Sequence, residues 1–271
     1  MAETVHSDAA HPDRDSDYLS PARPRVLAHR GLALEVPENT IAAFQAAVDA
    51  GADYIETDVH ATADGVAVLV HDPDIRVGGA VHAVRNLTLA QVTMLDLGGG
   101  HQVPTLAGAL VTFPDIRFNI DVKSELAAGP AARAILAERA TARVLVTSFD
   151  EARRRRALDG LDGVVTSASS RLFTRALVGA KAGLPGLVRR SLKGVRVVQI
   201  PERHRNVQLV TSRTVRTFHR AGVEVHVWTV NDPDDMERLL ELGVDGLVTD
   251  RADVALPLVH RWRRKSPHSG R

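Results

Sequence analysis

The chain has 271 residues, 44% of them hydrophobic and 25% charged, with a formal net charge of +1 and no cysteine. These values are ordinary for a globular protein long enough for one α/β barrel or two small domains. They exclude a disulfide framework and a thiolate metal site, and no run approaches the roughly eighteen apolar residues of a membrane-spanning helix.

Charge is unevenly spread. Residues 1–17 carry a net −4 and residues 261–271 a net +5. Both ends are polar and lack periodicity. The expectation is an acidic tail over 1–24, a folded domain over 25–260 and a basic tail over 261–271. The acidic start has no apolar h-region, so no signal peptide is expected and a cytoplasmic location is the default.

In chain order, β-rich apolar runs alternate with helical patterns. Strands are expected at Val26–Ala28, Tyr54–Val59, Val66–Val70, Ile116–Val122, Val144–Thr147, Gly163–Thr166, Val195–Ile200, Glu224–Val230 and Gly246–Val248. Helices are expected at Glu38–Ala50, Leu89–Leu95, Leu106–Val111, Ala127–Ala140, Glu151–Leu158, Arg171–Ala182, Ser212–Ala221, Pro233–Leu242 and Ala252–Val259. Asn39-Thr40 and Asn231-Asp232-Pro233 mark helix starts, while Gly51, Gly222 and Gly243 mark helix ends. Such alternation implies parallel βαβ units, and about eight of them fit a single (β/α)₈ TIM barrel. The segment from His71 to Pro104 reads as a short insertion after the second strand region. A doubly wound open sheet is the alternative, but no Gly-x-Gly-x-x-Gly follows the first strand.

Strand periodicity gives the first chemical signal. Tyr54, Glu56 and Asp58 share one face, and so do Asn119, Asp121 and Lys123. Carboxylates paired near a strand's C-terminal end repel one another unless a positive group lies between them. That group is either a nearby Arg or Lys, or a hard divalent cation such as Mg²⁺ or Ca²⁺, which oxygen-only donors suit. Asp121 can be a third carboxylate of the cluster, and Lys123 can bind a phosphoryl oxygen or balance its charge. His29 and His71 each end a strand-like run beside an ionisable neighbour, Arg30 and Asp72. Two imidazoles can divide the work of accepting and donating a proton, and Arg30 offers a planar fork to phosphate oxygens.

His29-Arg30-Gly31, Pro37-Glu38-Asn39-Thr40, Glu56-x-Asp58, Thr62-x-Asp64-Gly65 and His71-Asp72 closely resemble the glycerophosphodiester phosphodiesterases. Pro104-Thr105-Leu106, Asp121-x-Lys123, Ser148-Phe149, Val227–Asn231 and Gly243–Gly246 extend the resemblance over roughly residues 25–255. It implies a (β/α)₈ barrel, one divalent metal ion held by Glu56, Asp58 and Asp121, and His29 and His71 as the acid–base pair. The implied reaction on a small-molecule glycerophosphodiester proceeds through a cyclic phosphate to sn-glycerol 3-phosphate and an alcohol. Two positions depart from the family pattern. Asp121 stands where the family commonly has Glu, and Gly108 replaces the acid of Pro-Thr-Leu-x-Glu. Trp228, at the end of a strand, is expected to wall the glycerol or the leaving group.

Residues 171–205 hold nine Arg or Lys and one acid, Glu202, interleaved with apolar residues. This is either a solvated helix face or a lip favouring a lysophospholipid or a membrane surface. Nucleic acid is not expected, with aromatics at 4% and no recognised binding motif. Two other functions compete with the leading one. They are headgroup release from lysophospholipids by the same site, and a phosphate-binding barrel without turnover.

Overall fold

Parallel strands need crossover connections, and the helices of this chain supply them. In the computed structural model, which describes residues 17–265, eight parallel strands form a ring. They are β1 (Arg25–His29), β2 (Tyr54–Ala61), β3 (Arg117–Val122), β4 (Val144–Thr147), β5 (Val165–Thr166), β6 (Val197–Pro201), β7 (Glu224–Trp228) and β8 (Gly246–Thr249). Hydrogen bonding runs β5-β4-β3-β2-β1-β8-β7-β6, and a parallel bridge from Ser167 to Val197 joins β5 to β6. The expected TIM barrel is the observed fold.

Alternation along the strands separates two cores. Outward residues such as Ile55, Val59, Phe118, Ile120 and Val146 pack against the helices. Inward residues Leu27, Tyr54, Leu145, Val165, Val197 and Val248 fill the barrel floor. The first helix, Ile41–Asp49, shows how the outer layer is held: it buries Ala43, Phe44 and Ala47. The Phe44 ring meets Phe118 edge-on at 5.9 Å. Truncating such a buried aromatic costs about 3–5 kcal/mol.

That helix begins at Ile41, not at Glu38. Asn39 adopts a left-handed backbone, φ 56°, and Thr40 is the N-cap, its hydroxyl accepting from the Ala43 amide. Three further differences have physical causes. The expected acidic tail over 1–24 is ordered from Asp17, where a 3₁₀ turn brings Tyr18 under the barrel. Tyr18 stacks edge-on with Tyr54 at 5.2 Å, and the Tyr54 hydroxyl donates to the Tyr18 carbonyl at 2.5 Å. The expected basic tail from 261 begins as helix, because Ala252–Lys265 is one continuous element. The insertion contains a hairpin, Asp74–Val77 with Ala80–Ala83 around Gly78-Gly79, and it packs a small core of its own from Val68, Ile75, Val84, Val92 and Val103. The parts of the two tails at 1–16 and 266–271 lie outside the described residues.

Two elements in the second half were not expected from sequence. Helix Pro185–Ser191 follows Ser170–Ala182, and a short hairpin pairs Arg203–His204 with Val207–Gln208. The run Val66–Val70 does form a strand, Ala67–Leu69, but it pairs antiparallel with β2 outside the ring.

Candidate active site

The C-terminal ends of the strands open into a cavity of about 720 Å³. Strand register places its charged groups. His29 pairs with Glu56, and Glu56 and Asp58 pair with Asn119 and Asp121. All of these residues and Lys123 line the cavity, so the inward-facing pair expected on β2 and its extension on β3 are observed together.

The turn after β1 is tight. Gly31 has φ 89°, and a Cβ there would lie 2.6 Å from the Ala43 carbonyl carbon. Arg30, also left-handed at φ 57°, sends its guanidinium back across the site. Its NH1 donates to both Glu38 oxygens at 2.9 and 3.1 Å. Its Nε lies 3.0 Å from Asp58 Oδ2, within ion-pair reach but off-line for a hydrogen bond. Asn39, the strained neighbour of the cap, donates to Asp58 Oδ2 at 3.1 Å and accepts from the Thr57 hydroxyl at 2.7 Å. It ties the Pro-Glu-Asn-Thr segment to β2.

Lys123 Nζ lies between two carboxylates, 2.9 Å from Asp58 Oδ1 and 2.6 Å from Asp121 Oδ2. Burial alone would raise the Asp58 carboxyl, but the Lys123 and Arg30 charges outweigh it and hold Asp58 below the usual range. Burial, then the Asp58 and Asp121 charges, push Glu56 well above that range. Asp121 is also raised, chiefly by burial, despite Lys123. The buried oxygens Asp121 Oδ1 and Asn119 Oδ1 have no hydrogen-bond partner. Among the described residues, no three acidic or imidazole groups already converge as a metal cage. The donors nonetheless fit a hard cation: they are oxygen-only, orphaned at Asp121 and short of positive charge at Glu56.

Both histidines have one nitrogen engaged. His29 Nδ1–H donates to Asp250 Oδ1 at 2.6 Å, which leaves Nε2 facing Glu56 at 3.8 Å. Asp250 is kept below the usual carboxylate range by its bonds to His29 and Asn231. Asn231 donates to Asp250 Oδ2 at 2.7 Å and accepts from the Asp250 amide at 2.9 Å. His71 Nδ1 lies 2.8 Å from Asp72 Oδ1. The His71 carbonyl accepts from His60 Nε2 at 3.2 Å, which gives buried His60 a supporting contact that its sequence context did not suggest. Asp250 and Asn231 are also absent from the sequence-derived site. The available signal was Asp250's position directly after a barrel strand.

Across the mouth, the Trp228 ring meets Phe149 edge-on at 5.8 Å, and Lys123 Nζ lies 5.9 Å from the Phe149 centroid. Trp228 lines the cavity beside Phe149.

A family model described as the glycerophosphoryl diester phosphodiesterase family matches residues 29–254. The chain belongs to that family. This phosphodiesterase is 43% identical over 231 residues to a probable glycerophosphodiester phosphodiesterase of Mycobacterium tuberculosis, spanning 84% of this chain and 88% of that one. It is 32% identical over 254 residues to a glycerophosphodiester phosphodiesterase of Caldanaerobacter subterraneus, covering 87% of this chain and 98% of the relative. A putative glycerophosphoryl diester phosphodiesterase from Silicibacter pomeroyi superposes with a TM-score of 0.75 at 25% identity, over 91% of this chain and 96% of the other. An Oleispira antarctica phosphodiesterase, solved in complex with the product sn-glycerol-3-phosphate, shares the fold at a TM-score of 0.70 and 20% identity, over 88% and 97% of the two chains.

Proposed function

We propose that this phosphodiesterase hydrolyses small glycerophosphodiesters to sn-glycerol 3-phosphate and an alcohol, using a divalent metal, Mg²⁺ or Ca²⁺. The observation that carries this reading is one cavity lined by two imidazoles, each tied at Nδ1 to a carboxylate, and by the Glu56, Asp58, Asp121 and Lys123 cluster. The 43% identical relative and the neighbour solved with sn-glycerol-3-phosphate support the substrate class.

Engaging Nδ1 leaves Nε2 of each histidine as the working atom. One of His29 and His71 takes the proton of the glycerol hydroxyl next to the phosphorylated carbon, and the other protonates the departing alcohol. The resulting cyclic phosphate is opened by water with the two roles exchanged. Arg30 and Lys123 hold phosphoryl oxygens and offset the charge that develops there. Glu56, Asp58 and Asp121 would hold the metal, which when bound supplies Lewis-acid charge to the phosphoryl group. Asp250 orients His29 through its Nδ1. No helix among the described residues is long and apolar enough to cross a membrane, and a cytoplasmic location belongs to the same proposal.

The test is turnover of glycerophosphocholine by metal-stripped protein, with Mg²⁺, Ca²⁺ or Mn²⁺ restored separately and sn-glycerol 3-phosphate read by ³¹P NMR. Activity should require one of the cations. Undiminished activity after stripping removes the metal from the reading, and no turnover under any condition rejects the substrate class.

A further inference from the structure

The cavity has a charged side, built from β8, β1, β2 and β3, and an apolar side, where Phe149, Phe173 and Leu177 come from the segments after β4 and β5. Helix Glu151–Ala157 follows β4 and carries four consecutive arginines, Arg153 to Arg156. Three of them meet carboxylates. Arg154 and Arg155 pair with Glu151 at 2.9 and 2.7 Å, and Arg156 pairs with Glu125 at 2.5 Å. Arg153 turns instead toward the charged side, where its NH1 donates to the carbonyls of Lys123 at 2.5 Å and Val122 at 3.3 Å. Both carbonyls lie past the last pair of the β3–β4 ladder, Asp121 with Thr147. Side chains take over where the sheet stops: Ser148 Oγ also donates to the Val122 carbonyl, at 2.8 Å. The inward turn of Arg153 is unfavourable in itself. Its Nε is buried without a hydrogen-bond partner, and a buried unmade donor costs about 1–3 kcal/mol. A solvent-facing rotamer would leave that donor hydrated, so the bonds at the end of β3 must supply the compensating gain.

We propose that Arg153 is a positioning residue for Lys123: it clamps the main chain where β3 ends and so fixes the point from which the Lys123 side chain reaches into the site. The inference rests on the role proposed above for Lys123 in holding a phosphoryl oxygen. A lysine is a point charge on a flexible four-carbon stem, and its aim depends on how both ends are held. At the far end, the ammonium is gripped by Asp58 Oδ1 and Asp121 Oδ2. At the near end, the Lys123 amide donates to the Val59 carbonyl at 3.0 Å, and the Lys123 carbonyl accepts from Arg153. The helix that delivers Arg153 is itself fixed beside the site, because the Asp150 side chain caps it by accepting from the Arg153 amide at 2.8 Å. Arg153 thus reaches from the apolar side into the frame of the charged side and acts through the backbone of Lys123.

The experiment is a double-mutant cycle on the full chain with metal restored. It is read by kcat and KM for glycerophosphocholine and by the calorimetric Kd of sn-glycerol 3-phosphate, with melting by circular dichroism as the folding control. Arg153→Met keeps the apolar stem and removes the donors, and it should raise both KM and Kd by about tenfold through misplacement of the ammonium. In the Lys123→Met background the same substitution should leave both within about twofold, because the group it positions is gone. Arg153→Lys should recover most of the loss, since an ammonium can donate to both carbonyls. Arg153→Gln replaces the methionine variant in the cycle if that variant does not fold. If Lys123→Met binds too weakly to close the cycle, the Arg153→Lys rescue decides. Equal losses in the two backgrounds overturn the inference, as do wild-type values in Arg153→Met or a folded Arg153→Lys that recovers nothing. In each of those cases turnover by the wild-type protein leaves the proposed function standing. Wild-type protein that neither cleaves glycerophosphocholine nor binds sn-glycerol 3-phosphate overturns both.

Discussion

The two halves of the barrel mouth are built by different means. On the side of β8, β1, β2 and β3, strands deliver charged side chains in register, and those groups meet at bonding distance, as Lys123 meets Asp58 and Asp121. On the side of β4 to β7, loops and a helix do most of the construction, and β5 is only two residues long. Proton transfer and phosphoryl binding depend on sub-ångström placement, which rigid strands provide. An apolar wall needs only shape and area, which loops and a helix can supply.

Substitutions should separate the halves, starting with the largest effect. His29→Ala and His71→Ala should each lower kcat by about 10²–10⁴-fold with an unchanged melting temperature. Steady-state kinetics at wild-type rates in either variant would remove that histidine from the chemistry. Asp250→Asn should cost about 10²-fold through misplacement of His29. The matching control is a pH–rate profile, which a purely structural role for Asp250 would leave unshifted. Trp228→Ala removes only wall and should raise KM by up to about tenfold with little change in kcat. A loss of kcat as large as that of the histidine variants would erase the distinction between the halves.

The smallest effects are on stability, and they have opposite signs. The folded-state pKa of Glu56 is raised above its ordinary 4.5, so its stabilising contribution is complete below that pH and is lost as pH rises. Metal-free Glu56→Gln should therefore be more stable than wild type near neutral pH, as read by thermal melting. Glu151 anchors the apolar half, accepting from Ser169 at 2.7 Å and pairing with Arg154 at 2.9 Å. Burial opposes ionisation there, but these bonds lower its carboxyl to about 2 from 4.5. Its contribution is present above pH 4.5 and lost as pH falls toward about 2. Glu151→Gln should flatten that acid limb, and an unaltered acid titration would show that the contact carries no stability.

The halves also differed in how far the sequence revealed them. The period-2 alternation of β2 and β3 is enough to put Glu56, Asp58, Asp121 and Lys123 on shared faces. Asp250 was not legible as a partner of His29, because 221 positions separate them and no local pattern links them. Segment 171–205 declared its charge but not its geometry. Its arginines and lysines face solvent, while Phe173 and Leu177 turn toward the cavity. No helix was expected at Pro185–Ser191, although Pro185 occupies its first turn, where its missing amide hydrogen costs nothing. Gly78-Gly79 between two short apolar runs is a local hairpin signal, and the hairpin forms there. Tyr18 gave no warning at all. A lone tyrosine in an acidic segment acquires meaning only from the barrel floor that receives it.

The floor contact reaches beyond its own residues. Arg263, on the final helix, donates to the carbonyls of Ala22 and Pro24 at 2.6 and 2.7 Å, and the first of these contacts spans 241 positions. β1 likewise has one neighbour early in the chain and the other, β8, near its end. As the chain leaves the ribosome, its first strand waits with one edge bare until the last βα unit emerges. The Ala22–Pro24 stretch between the Tyr18 stopper and β1 gains its Arg263 contacts only then, so this join is among the last to be secured.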